Sequence, residues 1–114
     1  MAGLSCARTL RRAGFYVEIF EGDRVVGGRM GTSRLGVVPF DHGAQYVSVR
    51  SSRFRTYVEE LVNSGYAAAW HPRIQGMEEG YVPNWYVGTP GMSALVRPLA
   101  ESVQVHTSRR VHTL

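Results

Sequence analysis

Glu21, Gly27, Gly28 and Arg29 have the residue types and spacing to hold a phosphorylated ligand. A glutamate that closes a β-strand presents a carboxylate to ribose hydroxyls. Adjacent glycines let backbone approach a ligand closely, and an arginine can pair with a pyrophosphate through two hydrogen bonds. Gly3 opens a predicted helix, where backbone N–H groups and the helix dipole favour a phosphate. A glycine there also lets the helix pack close to a sheet. Each feature has a plainer explanation by itself: close packing for Gly3, a solvated loop charge for Arg29. In this order, with an acidic residue about 20 positions after the glycine, they point together to dinucleotide binding.

Such residues need a strand, a turn and a helix to position them. Leu4, Ala7, Leu10 and Ala13 recur at helical spacing, and Gly14 closes the segment as a cap. "FYVEIFE" follows as a strand in which Phe15, Val17 and Ile19 alternate with Tyr16, Glu18 and Phe20. A helix running through a tight link into such a strand is half of a parallel βαβ unit. Residues 22–31 hold four glycines and read as a loop. "TSRLGVVPFDHGAQYVSV" reads as short strands broken at Gly36, Pro39 and Gly43. Residues 52–64 form a predicted helix, with Phe54, Tyr57, Val58 and Leu61 on one face, Ser51 and Ser52 as caps and Gly65 as its end. "AAAW" and "YVPNWYVG" are strand-like; "TPGMSALVRPLAE" starts a helix near Pro90-Gly91 that Pro98 bends or shortens. "VQVHT" and "RRVHTL" are expected as two short strands with a turn at Ser108.

Composition narrows the classes. The chain has 114 residues, 44% of them hydrophobic, as a single globular domain would. No apolar run reaches membrane-span length and no signal-peptide pattern opens the chain, which makes a cytoplasmic setting the default. A single cysteine, Cys6, excludes an internal disulfide and any multi-cysteine metal site. It is expected on the buried side of the first helix, as packing. The formal charge of +4 comes entirely from arginine among the basic residues, scattered from Arg8 to Arg110 without a basic tail. That dispersal argues against nucleic-acid binding. His42, His71, His106 and His112 make no metal-ligand spacing, so no metal is expected. His42 reads best as a loop histidine with a backbone hydrogen bond. Trp70, Tyr81, Trp85 and Tyr86 are either the core of a small sheet or an aromatic wall on which a planar substrate stacks.

"AGLSCARTLRRAGFYVEIFEGDRVVGGRMGT" resembles the opening of the FAD-dependent amine-oxidase superfamily. Glu21, Gly27, Gly28, Arg29 and Thr32 stand in register with its E-x(5)-G-G-R-x-x-T/S signature. "FDHGAQYVSVRSSRF" and "WYVGTPGMSALVRPLA" resemble the renalase-like bacterial branch. The resemblance implies an α/β fold: an incomplete Rossmann-like FAD-binding half followed by the start of a mixed α+β substrate domain. Residues 1–50 would be the FAD-binding segment, 51–101 the start of the substrate domain, and 102–114 return strands toward the FAD domain.

It also implies roles. Glu21 would bind the adenosine ribose, and Gly27, Gly28 and Arg29, with Gly3 at the same end, the pyrophosphate. Gly43, Ala44, Gln45 and Tyr46 would lie near the isoalloxazine, and Val111 near the adenine. No catalytic side chain is assigned. The implied chemistry is oxidation of a small molecule with O₂ as acceptor: isomeric dihydronicotinamide dinucleotides in the renalase-like branch, amines in the wider superfamily. Against the family pattern, Met1-Ala2-Gly3 aligns with the end of the glycine-rich turn. The chain therefore reads as an N-terminal fragment lacking the first strand and the first two glycines, expected to be inactive alone. The rival expectation is a non-catalytic chain, or an interaction module without FAD. Oligomeric state is not predicted.

Overall fold

The computed structural model describes residues 1–76, 80 and 83–113. Its elements, in chain order, are α1 (Ala2–Arg12), β1 (Glu18–Phe20), a 3-10 turn (Gly28–Met30), β2 (Thr32–Leu35), β3 (Val38–Asp41) and β4 (Val47–Ser48). Then come α2 (Ser52–Asn63), β5 (Ala67–Ala69), β6 (Trp85–Gly88), a second 3-10 stretch (Met92–Val96), α3 (Arg97–Glu101) and β7 (Gln104–His106). The result is a mixed α/β fold.

Both long helices end where glycine permits it. Gly14 (φ 90) donates to the Arg11 carbonyl at 3.0 Å, and the next amide, Phe15, to Leu10 at 3.1 Å. Gly65 (φ 77) repeats the pattern after α2, with Gly65 to Val62 at 3.1 Å and Tyr66 to Leu61 at 2.8 Å. In each case two otherwise orphaned carbonyls are satisfied by a left-handed cap. At the other end of α2 the Ser51 hydroxyl accepts from the Phe54 amide at 3.3 Å, as its residue type predicts.

β1 and β7 pair in parallel, with Glu18 opposite Gln104 and Phe20 opposite His106. β2 and β3 form an antiparallel hairpin through a two-residue turn, with Gly36 (φ 62) at its first position. β4, β6 and β5 make a three-stranded antiparallel sheet in that order. The core lies where α1, α2 and residues 92–99 meet. Leu4, Met30, Leu61, Ala67, Met92, Leu95, Val96 and Leu99 form one buried cluster.

Several sequence expectations need correcting. Only Glu18–Phe20 of "FYVEIFE" is strand; Phe15 and Tyr16 are exposed. Pro39 does not break a strand: it sits inside β3, opposite Arg34, in a two-stranded hairpin, where an unpaired edge tolerates a missing N–H. The segment at Pro90-Gly91 opens as a 3-10 stretch, and Pro98 lies in the first turn of α3, the helical position that suits proline. Residues 109–113 of the expected last strand have no regular structure. Cys6 is exposed, not packed, and Leu10 is also exposed, so Leu4 and Ala7 alone form the buried face of α1. Tyr81 and Leu114 fall outside the described residues.

Tyr57 supplies a measurable electrostatic feature. Its hydroxyl donates to the Leu95 carbonyl at 2.6 Å. Burial pushes its phenol from 10.0 up to about 12, with Glu60 adding to the rise and Arg8 opposing it. The folded state binds this proton more tightly than the unfolded chain, so the contribution is whole below pH 10 and declines as pH climbs toward about 12. Tyr57→Phe is expected to cost about 1 kcal/mol at neutral pH through the lost hydrogen bond. It should also remove this part of the alkaline decline, which urea midpoints of both proteins across that pH range would reveal.

Candidate functional site

Glu21 and Gly27–Arg29 lie at the end of β1 and in the loop after it, and the Gly43–Tyr46 segment packs against that loop. Glu21 directly follows β1. Its amide donates to the His106 carbonyl at 2.9 Å, continuing the pairing with β7. One carboxylate oxygen, Oε1, accepts from the Asp23 amide at 3.1 Å, and the side chain is only part-buried. The return segment closes over the same place: Arg109 donates its amide to the Glu21 carbonyl and Ser108 to that of Asp23, both at 2.8 Å. Val111 lies two positions beyond Arg109 and is 53% exposed.

The loop after β1 turns on its glycines. Gly27 (φ 149) is buried, and Gly28 (φ 53) occupies the left-handed region with no atom within 4 Å of where a Cβ would stand. Backbone is therefore bare and approachable at Gly28. The Arg29 side chain is exposed, and its guanidinium has no carboxylate partner among the described residues.

The Gly43–Tyr46 segment docks on this loop. The Ala44 amide donates to the Arg29 carbonyl at 2.7 Å, while a Cβ on Gly43 would stand 2.1 Å from that same oxygen. Only glycine allows the approach. Gln45 is exposed, and the Tyr46 ring stacks on Trp85 at 4.2 Å between centroids, with Trp70 tilted against both. The three rings share one face of the β4–β6–β5 sheet, and Tyr86 joins none of these pairs. Gly3 is exposed in the first turn of α1, with nothing within 4 Å of an added Cβ, and Leu4 beside it shares the core cluster with Met30. The first turn of α1 and the glycine loop are thus linked through buried contacts.

Sequence reasoning missed the clamp that holds these pieces. Asp41 Oδ1 accepts from the Thr32 hydroxyl at 2.5 Å and from the Met92 amide at 2.9 Å. Thr32 Oγ1 in turn accepts from the Ser93 amide at 3.0 Å. A Cβ on Gly91 would come within 2.6 Å of Thr32 Cγ2, and one on Gly88 within 2.2 Å of the Gly91 carbonyl oxygen. The glycines of "VGTPGMS" are therefore packing requirements. Their signal in the sequence was the pairing of small residues with a strand-end Thr and Asp, which becomes meaningful only once the two segments touch. His42 differs from expectation too: its ring lies over Gly31, where a Cβ would be 2.8 Å from Cε1, and no hydrogen bond to that ring is found among the described residues.

A part-buried carboxylate at a strand end, bare backbone at Gly28, a guanidinium with no carboxylate partner among the described residues and a second segment packed against the loop are groups that fit a flavin dinucleotide. No cluster of His, Cys, Asp or Glu able to hold a metal occurs among the described residues. No helix in the described residues is long and apolar enough to cross a membrane.

Comparison with known proteins agrees with this chemistry. Residues 1–64 match the family model for flavin containing amine oxidoreductases, and the chain belongs to that family. The family's cofactor is a flavin, FAD. Over 60 residues, 53% of this chain, it is 48% identical to the "Putative flavin-containing monoamine oxidase AofH" of Mycobacterium tuberculosis strain CDC 1551 / Oshkosh. The same figures hold for the protein of that name from strain ATCC 25618 / H37Rv. The match spans 13% of either relative's length.

Proposed function

We propose that this chain contributes the ribose- and pyrophosphate-binding part of a FAD-dependent oxidoreductase that oxidises a small molecule, with O₂ as acceptor. The observation that carries the reading is the Ala44–Arg29 contact, which brings the two implied flavin-binding segments to one place beside the bare backbone of Gly28. In this arrangement the Glu21 carboxylate accepts from the ribose hydroxyls. Gly27, Gly28 and Arg29, with the first turn of α1 at Gly3, hold the pyrophosphate. Gly43 to Tyr46 would line the isoalloxazine, and Val111 the adenine. When bound, FAD would supply the redox chemistry, a two-electron oxidation of the substrate coupled to reduction of O₂ with two protons to hydrogen peroxide. The chain's own residues bind, orient and shield.

Within this proposal residues 1–50 form the incomplete Rossmann-like FAD segment, 51–101 the beginning of a substrate domain and 102–114 the return. The parallel β1–β7 pair behind α1 supports it. An amine is the substrate class favoured by the family and by the names of the mycobacterial relatives. The renalase-like alternative, an isomeric dihydronicotinamide dinucleotide, draws support from the Tyr46, Trp70 and Trp85 rings on one sheet face, on which a planar ring can stack. The 114 residues alone are expected to produce no peroxide from either substrate, and a cytoplasmic location remains part of the proposal.

The direct test is an FAD titration followed by flavin fluorescence, run beside Glu21→Ala and Arg29→Gln. Each substitution should weaken binding about tenfold, as loss of a charge-assisted hydrogen bond does. Equal affinity in all three proteins would place the flavin elsewhere.

A further inference from the structure

Away from Glu21 and the glycine loop, a groove runs between α1 and α2 and holds two cavities of about 490 and 550 Å³. Both volumes lie in the range of small-ligand sites. Arg8 and Arg12, one turn apart on α1, border both cavities, and Arg53 faces the larger one from α2. These arginines are scattered in sequence and gathered by the fold. Among the described residues none of their guanidiniums lies within 4.0 Å of a carboxylate oxygen. Glu60 is the carboxylate on the rim, and Tyr57 and Leu99 give the groove an apolar lining.

We propose that this groove binds a small organic phosphate monoester, with Arg8, Arg12 and Arg53 on the phosphate and Tyr57 and Leu99 against the organic group. Guanidiniums arriving from two helices suit an anion with three terminal oxygens and up to two charges better than a carboxylate, which one arginine fork can saturate. Tyr57 is suited to a neutral lining. Its proton is already donated to Leu95, and burial keeps it protonated well beyond neutral pH. An apolar surface beside the cationic rim favours an ester over inorganic phosphate. Glu60 works against the anion, one carboxylate facing three guanidiniums. The groove shares none of its lining with Glu21 or residues 27–29, but Met1 and Ser5, on either side of Gly3, border its larger cavity, so the FAD control below decides whether it is separate from the dinucleotide site.

Isothermal titration of the chain with phenyl phosphate, inorganic phosphate and phenol tests the proposal. Phenyl phosphate should bind tightest of the three. Arg12→Gln and Arg53→Gln should each weaken it about tenfold, and Glu60→Gln should tighten it severalfold. Far-ultraviolet circular dichroism of each variant checks that the helices persist, and the Glu60→Gln gain cannot arise from misfolding. Excess FAD should leave the phenyl phosphate affinity unchanged. Equal binding of phenyl phosphate and inorganic phosphate would overturn the proposal. So would arginine variants that bind normally, or displacement by FAD, which would make the groove part of the dinucleotide site.

Discussion

Gly43→Ala is expected to destabilise the chain by about 3 kcal/mol, a large effect for one methyl group. The added carbon would sit 2.1 Å from the Arg29 carbonyl oxygen, with further contact to the Arg29 carbonyl carbon at 2.8 Å. Both are backbone atoms, so no side-chain rotation relieves the overlap. The chain must separate residues 43–44 from the loop and surrender the 2.7 Å bond between Ala44 and Arg29. If those segments jointly hold the flavin, affinity should fall with stability. Gly3→Ala provides the contrast. It has open space around it on α1, and alanine is the better helix former by up to about 1 kcal/mol. Stability should hold or rise, while FAD affinity drops only if a phosphate rests against that first turn. Urea unfolding together with FAD titration separates the two effects, and an unimpaired Gly43→Ala protein would refute the docking.

Asp41→Ala should cost about 2–3 kcal/mol, the penalty for stripping a buried donor of its acceptor. Met92 is fully buried, and its amide donates to Asp41 Oδ1 at 2.9 Å. Without the carboxylate the Met92 amide loses this acceptor, and the Thr32 hydroxyl loses its own as well. Asp41→Asn keeps an acceptor oxygen and should lose less than about 1 kcal/mol. A cycle with Thr32→Val is expected to show coupling of about 1–2 kcal/mol, because the side chains act as one clamp between the hairpin and residues 92–93. Additive losses in thermal or urea melts would show that Thr32 and Asp41 act independently.

What the sequence revealed and what it hid follow from how local each signal is. Helical periodicity with Ser51 and Gly65 located α2 to within a residue at its end, because caps act over a few bonds. Residue type and spacing also singled out Glu21 and the Gly27-Gly28-Arg29 loop, whose proposed roles the FAD titration tests. Pro39 misled because its meaning depends on whether a neighbour strand needs its N–H, a tertiary fact. Cys6 misled because α1 packs on one narrow face, Leu4 and Ala7, and leaves that position outside. The Asp41–Thr32–Met92 clamp was invisible for a related reason: its members come from segments far apart in the chain, and neither segment alone shows an unsatisfied group.

The parallel pairing of β1 with β7 has a kinetic corollary. Tyr16 and Gln104, which touch across that pair, are 88 positions apart, so the strand leading into Glu21 acquires its neighbour only after a very large loop has closed. Loop-closure entropy rises slowly with length, but search time rises with sequence separation. During synthesis at about 5–20 residues per second, several seconds pass between the emergence of β1 and that of β7. Through that interval the Glu21 end of the site is without the backbone partners that fix it. The Glu21 end of β1 is therefore among the later parts of the described residues to take shape, whereas the caps of α2 need only residues close by in the chain.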